Sequence, residues 1–383
     1  MRSSVDSRTV LNWDSPSVEV LFQLLRISLG KEELSSLPND VNWQEVYDLS
    51  LKQGVGAIAC DGMLALKECS IDEELKYKWM GQSLVIEQNY NQHKKAIAEL
   101  ADFYHQHNIQ MMLLKGYGLS LNYPVPEHRP AGDIDIYLLK KTVLEHGGSF
   151  LLGGSVVAKD ADLLLNKQLD IGIEKSKFEH HSHFQFNDLL VENHYEIGNT
   201  YSHRKEEIVI EEQLELLIKE KYVVEDNTNI YLPSANFNAV FLMKNLYSHY
   251  TGGKISVRQL LDWSLFLDRF YECVEWNRVM EIWRMSGLKL FADIINHLVF
   301  RMQFIGEGKI PEMKCMSTYE NYILEDIFNG IKRGDSAISN LLYYFKQRKK
   351  YSMLNHRGWL SRTFDSICLH LFKHRDLKIR SIK

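Results

Sequence analysis

MMLLKGYGLSLNYPVPEHRPAGDIDIYLL, residues 111–139, decides how this chain is read. Asp133 and Asp135 alternate with Ile134, Ile136 and Leu138, a period of two that puts two carboxylates on one face of a strand and branched apolar residues on the other. Their Cα atoms would lie roughly 6 to 7 Å apart, close enough for the charges to repel unless a cation sits between them. A divalent metal is the expected occupant. Upstream, Met111 to Leu114 reads as a short buried strand ended by Lys115-Gly116, and Tyr117 to Asn122 as a turn of helix. Tyr123-Pro124-Val125-Pro126 reads as extended, because each Pro restricts the residue before it.

Working outward toward the N-terminus, SVEVLFQLLRISLG (17–30) has apolar residues at helical spacing, with Ser15 or Ser17 as N-cap and Gly30 as the stop. Two further helices are expected around Trp43–Leu51 and from Val55, and a long polar helix from Glu73 to Asn108. Toward the C-terminus, GGSFLLGG (147–154) lacks either phosphate-loop spacing and reads as a surface loop, followed by a helix at AKDADLLLNKQL. FEHHSHFQFNDLLVENHYEIG (178–198) reads as a hairpin turning at Asn187-Asp188. On its second arm Glu192, His194 and Glu196 share a face, while His180 and His181 read as packing or surface residues. Beyond about Leu214 the apolar spacing is helical throughout.

The expected fold class is α+β: a small mixed sheet flanked by helices, with N-terminal helices and a C-terminal helical domain. The divisions are 1–108 for the N-terminal helices, 109–213 for the core, 214–343 for the helical domain and 344–383 for a basic tail. That tail has Asp365 and Asp376 as its only acidic residues, and a solvated tail and a nucleic-acid contact are its two readings. The net charge of −5 argues against a surface that tracks nucleic acid as a whole. Five scattered cysteines without a C-x-x-C pair read as free thiols in a reducing compartment. No run reaches the ~18 to 20 apolar residues of a membrane span, so a cytoplasmic protein is expected.

Transfer of a nucleoside phosphate needs metal-holding carboxylates, donors for the triphosphate tail and cations that offset the charge of the leaving pyrophosphate. Asp133 and Asp135 supply the first, and a third carboxylate is needed, Glu192 or Glu196. Gly116 lets backbone approach phosphate closely, and Lys115 and Arg129 would screen its charge.

The run L-L-K-G, then Y-P, then R-P-A-G-D-I-D-I resembles the nucleotidyltransferase superfamily that includes DNA polymerase beta. It is most similar to the bacterial, uncharacterised nucleotidyltransferase-like branch, which continues with a V-E-x-H strand and a helical region bearing His and R-Q-L-x-D-W. The matching residues are Lys115, Gly116, Tyr123, Pro124, Arg129, Gly132, Asp133 and Asp135, then Val191, Glu192 and His194, then His249, Gly252, Gly253, Arg258, Gln259, Asp262 and Trp263.

The resemblance implies a Mg²⁺- or Mn²⁺-dependent enzyme that moves a nucleoside monophosphate from an NTP to an acceptor hydroxyl. Asp133, Asp135 and Glu192 would be both catalytic and metal-binding. Lys115, Gly116, Arg129, His194, His249 and Arg258 would contact substrate. A hydrogen bond to a ligand carboxylate is the other reading of His194, and an ion pair with Asp262, one helical turn away, is the other reading of Arg258. The turn is Lys115-Gly116 where the wider superfamily carries Gly-Ser or Gly-Gly. That difference motivates a second expectation, a nucleotide-binding or interaction module on the same scaffold with its chemistry lost.

Overall fold

The structure, a computed structural model, describes residues 15–32, 40–67, 69–143, 149–175, 181–197, 205–220, 223–224, 228–252 and 254–329. The basic tail, Gly253, His180 and Cys368 lie outside the described residues. Helix α1 (Pro16–Ser28) starts on Ser15, whose hydroxyl accepts from the Val18 N–H, and stops before Gly30 at φ +65°. Helices α2 (Trp43–Lys52) and α3 (Gly56–Ala65) follow, packed on α1 through Val46, Leu49, Ile58 and Met63. The long helix α4 (Glu73–Gln106) is capped by Asp72. Its Tyr90, Ile97, Leu100, Ala101 and Tyr104 form one buried stripe, so this mostly polar helix covers the sheet along a single edge.

Strand β1 (Ile109–Leu113) leads through the short helix α5 (Tyr117–Ser120) and a 3₁₀ turn at Pro126–His128 into β2 (Ile134–Val143). Strand β3 (Ser149–Leu152) pairs antiparallel with the far half of β2. The middle of the glycine-rich stretch expected as a loop, Ser149–Leu152, is therefore a strand. The SFLL segment between its two glycine pairs is short, but Lys140 to Val143 offer it an unpaired edge. Helix α6 (Ser155–Leu169) then leads to β4 (Glu174–Lys175), β5 (His181–Phe186) and β6 (Leu189–His194). Asn187 at φ +50° and Asp188 at φ +62° make the two-residue β5–β6 turn, the left-handed pair such a hairpin requires.

Helix α7 (Lys205–Leu217) is followed by β7 (Val223–Val224) and β8 (Ile230–Leu232), then by α8 (Ala235–Gly252), α9 (Val257–Phe270), α10 (Trp276–Met285), α11 (Lys289–Arg301) and α12 (Ser317–Asn329). Two strands thus lie where the sequence reads as helical throughout. β8 is three residues long, below what periodicity detects, and it is held by parallel pairing with β1.

The eight described strands form one mixed sheet in the order β4-β5-β6-β2-β1-β8-β7, with β3 beside β2. β2 is central: antiparallel to β1 on one side and parallel to β6 on the other. Alternation splits its side chains between two cores. Ile134, Ile136 and Leu138 join α4 and α6, whereas Tyr137 and Leu139 join the N- and C-terminal helices. Asp133 and Asp135 share parity with Tyr137, and so they open toward the helical half.

The loop before β2 is anchored by His128, whose Nδ1 lies 2.6 Å from Asp61 Oδ2 on α3 and whose Nε2 lies 2.9 Å from Glu87 Oε1 on α4. The Asp61 hydrogen bond, against the opposing effect of burial and with help from Glu87, raises its pKa to about 9 from 6.5. A raised histidine stabilises the fold fully below its unfolded value and loses that contribution as pH climbs through the folded value. The stability difference between the native chain and His128→Gln, read by urea unfolding, should shrink by about 1–2 kcal/mol between pH 6 and 10 once the partial exposure of both acids is allowed for. A difference that stays flat over that range contradicts the ion-pair role.

Candidate active site

Three carboxylates converge where the start of β2 pairs with the second half of β6. Parallel pairing sets Asp135 directly beside Glu192, and Asp133 precedes the strand on the same face. Ligand oxygens of Asp133, Asp135 and Glu192 all lie within 4.8 Å of one another. Glu196 follows the end of β6 and stands outside this group. His93 Nε2, 2.5 Å from the Gly132 carbonyl, fixes the residue before Asp133.

Asp135 is the best buried of the three, with 1% of its side chain exposed. Its Oδ1 meets Lys115 Nζ at 2.9 Å and His194 Nε2 at 3.0 Å. Burial pushes its pKa upward, but the His194 hydrogen bond and the Lys115 charge outweigh burial and hold it below the ordinary aspartate value. Asp133 goes the other way: burial, together with the neighbouring charges of Asp135 and Glu192, raises it despite Lys115. Glu192 is lowered, chiefly by His194 against burial. Lys115 and His194 are each disfavoured as cations by burial and yet raised, because these carboxylates face them. Neighbouring carboxylates thus push one another's charge apart, the condition a cation among them relieves. The donor set is all oxygen, which suits Mg²⁺ or Mn²⁺.

Lys115 is held there by the turn that follows it. The Leu114 N–H donates to the Asp135 carbonyl at 3.1 Å, and Gly116 takes φ +61°, a conformation that residues with a side chain rarely adopt. Opposite, α8 brings Leu242, Asn245, Leu246 and His249, and α9 brings Arg258 and Gln259, to line a cleft over Lys115, Gly116, Asp133 and Asp135. Burial and the nearby Lys115 and Arg258 charges push His249 down to about 4, so it faces the cleft as neutral imidazole at physiological pH. Arg258 donates from Nη1 to the Pro130 carbonyl at 3.2 Å, while its buried Nε has no hydrogen-bond partner among the described residues.

Arg129, expected to contact phosphate, lines the same cleft with its guanidinium already engaged. Nε and Nη2 grip Asp262 at 2.7 and 2.9 Å, Nη1 reaches the Pro130 carbonyl, and Tyr123 donates to the same Asp262 oxygen that Nε does. Asp262 therefore pairs with Arg129 rather than with Arg258 one turn away. All three side chains are buried, so the Tyr-Pro and Arg loop is clamped to α9 beside the cleft.

A family model described as "Uncharacterised nucleotidyltransferase" matches residues 39–303, which include the three carboxylates, the Lys-Gly turn and both cleft helices. The chain belongs to this nucleotidyltransferase family. No curated protein and no solved structure matches it. The family match covers α2 to α11 as one span, so α2, α3 and α4 fall within it together with the sheet, and α1 lies before it. Among the described residues no helix is long and apolar enough to cross a membrane.

One residue near the site escaped the sequence reading. His181, read as packing or surface, stands with Nε2 3.5 Å from Glu192 Oε1. The signal was present: a two-residue turn at Asn187-Asp188 fixes the register, and that register puts His181 opposite His194.

Proposed function

We propose that this chain is a metal-dependent nucleotidyltransferase that moves a nucleoside monophosphate from an NTP to an acceptor hydroxyl. The observation that carries the reading is the convergence of three carboxylates beneath a cleft whose far wall presents Arg258 and His249. Asp133, Asp135 and Glu192 would hold one or two divalent ions. Such an ion supplies Lewis-acid stabilisation of charge on the transferring phosphate.

The chain's own groups do the rest. Glu192, ionised and flanked by histidines, is the acceptor of the proton from the attacking hydroxyl. Lys115 binds phosphate oxygens by turning from Asp135, with which it shares the cleft floor. Gly116 keeps the turn open to the triphosphate. Arg258, a cation with unfilled donor capacity, binds the phosphate tail, and neutral His249 donates or accepts a single hydrogen bond there. Arg129 acts at one remove, holding α9 and hence Arg258 over the carboxylates.

The test is transfer of label from α-³²P NTPs, with Mg²⁺ or Mn²⁺, to a panel of nucleic-acid, protein, sugar and small-molecule acceptors. Labelled product that disappears on Asp135→Asn supports the reading; no labelled product from the unmutated chain with any acceptor counts against it. A second reading, nucleotide binding without transfer, draws on one feature: the Lys115 ammonium already sits against Asp135 at 2.9 Å. Under that reading an NTP binds equally well without metal and is recovered intact.

A further inference from the structure

The sheet face that carries the acidic group continues sideways onto β5. Register sets His183 opposite Glu192 and His181 opposite His194, so imidazoles and carboxylates share one face across β2, β6 and β5. His183 is engaged at the edge, with Nε2 3.2 Å from Glu174. His181 and His194 turn inward on the two oxygens of Glu192: His181 Nε2 is 3.5 Å from Oε1, and His194 Nε2 is 3.6 Å from Oε2. Their rings stand 5.2 Å apart at 45°, tilted and not stacked.

Those separations are longer than a good N–H···O bond of about 2.7–3.2 Å. They match the distance between neighbouring ligand atoms around one small cation, since bonds of ~2.0–2.1 Å in tetrahedral geometry put ligand atoms ~3.3–3.4 Å apart. One ligand atom from each of the three residues falls within 4.8 Å of the others. His194 Nε2 also meets Asp135 Oδ1 at 3.0 Å, so the group adjoins the acidic one and shares Glu192 with it.

We propose that His181, His194 and Glu192 form a second divalent-cation site with a preference opposite to that of the acidic group. Two imidazole nitrogens and one carboxylate select borderline transition ions such as Zn²⁺, Co²⁺ or Ni²⁺ over Mg²⁺, which favours all-oxygen surroundings. The ion fixes the Glu192 carboxylate between the two sites, and a water or substrate oxygen completes its coordination. This goes beyond the nucleotidyl-transfer reading and does not need transfer to occur.

The test is a Co²⁺ titration of the full chain without nucleotide, followed by visible absorption, in a background of Asp133→Asn that weakens the acidic group. One Co²⁺ per chain is expected, with at least ~10-fold weaker binding when His181→Asn is added and no displacement by excess Mg²⁺. In the unmutated chain the same titration should shift the ring-proton resonances of His181 and His194, a readout that needs no variant to fold. Unchanged affinity in His181→Asn, or resonances that stay put at saturating Co²⁺, overturns the proposal. Cobalt bound as expected in a chain that transfers nothing would sink the transferase reading alone.

Discussion

Asp135→Asn should lower nucleotidyl transfer by about 10³-fold or more while leaving the chain folded, a loss of roughly 4 kcal/mol of transition-state stabilisation. The substitution keeps the shape and removes the charge. An amide cannot serve as an anionic ligand, and it leaves both Lys115 and His194 facing a neutral group at 2.9 and 3.0 Å. Asp133→Asn should act in the same direction. The third carboxylate is tested by a pair of variants, because Glu192→Gln should lose most transfer and Glu196→Gln should keep it. Single-turnover rates with the acceptor that supports turnover would decide the matter, with circular dichroism confirming that each variant folds. Equal rates for Asp135→Asn and the unmutated chain would remove the carboxylates from the chemistry.

The second large effect is on stability. Asp262→Ala should cost about 3–5 kcal/mol, since it strands the buried Arg129 guanidinium without its counter-ion and takes the acceptor from the Tyr123 hydroxyl. Arg129 is held as a cation more firmly than an ordinary arginine, burial notwithstanding, because Asp262 binds it through two parallel bonds. Replacing both partners together, Arg129→Met with Asp262→Leu, should recover much of the loss, as an apolar pair needs no desolvation. Urea unfolding of the two single variants and the double variant measures this directly. If the double variant is no more stable than Asp262→Ala, the pair is not what sets the cost. The recovered double variant should nevertheless bind NTP more weakly, because the clamp that aligns α9 and Arg258 over the carboxylates is gone.

The legible parts of the fold were those set by local periodicity. α1 to α4, β1, β2 and the β5–β6 hairpin fall where spacing and turn residues put them, since Ser15, Asn187-Asp188 and the alternation around Asp133 act within a few residues. What escaped was fixed by pairing. β3 and β8 are four and three residues long, and pairing makes strands of them: β3 with β2, and β8 with β1 and β7. The same limit holds at the site. Asp133 and Asp135 were visible as a pair on one strand, but the Arg129–Asp262 grip spans 133 positions and the His194–Asp135 contact 59. In the sequence Arg129 reads as a free charge near the carboxylates. Tertiary structure supplies the partner that uses it. The parity argument for His181 was available from the hairpin, yet it needed the register as well as the face.

Binding of an NTP analogue with a non-cleavable α,β-phosphate link, followed by titration calorimetry with Mg²⁺ and with EDTA, tests the metal-held nucleotide site most directly, since it requires no acceptor. The expected result is saturable binding with Mg²⁺ that weakens at least ~10-fold in EDTA and is lost in Asp133→Asn/Asp135→Asn. Binding of equal strength with and without Mg²⁺, unchanged in that double variant, or no binding of any NTP analogue by the unmutated chain, would contradict it.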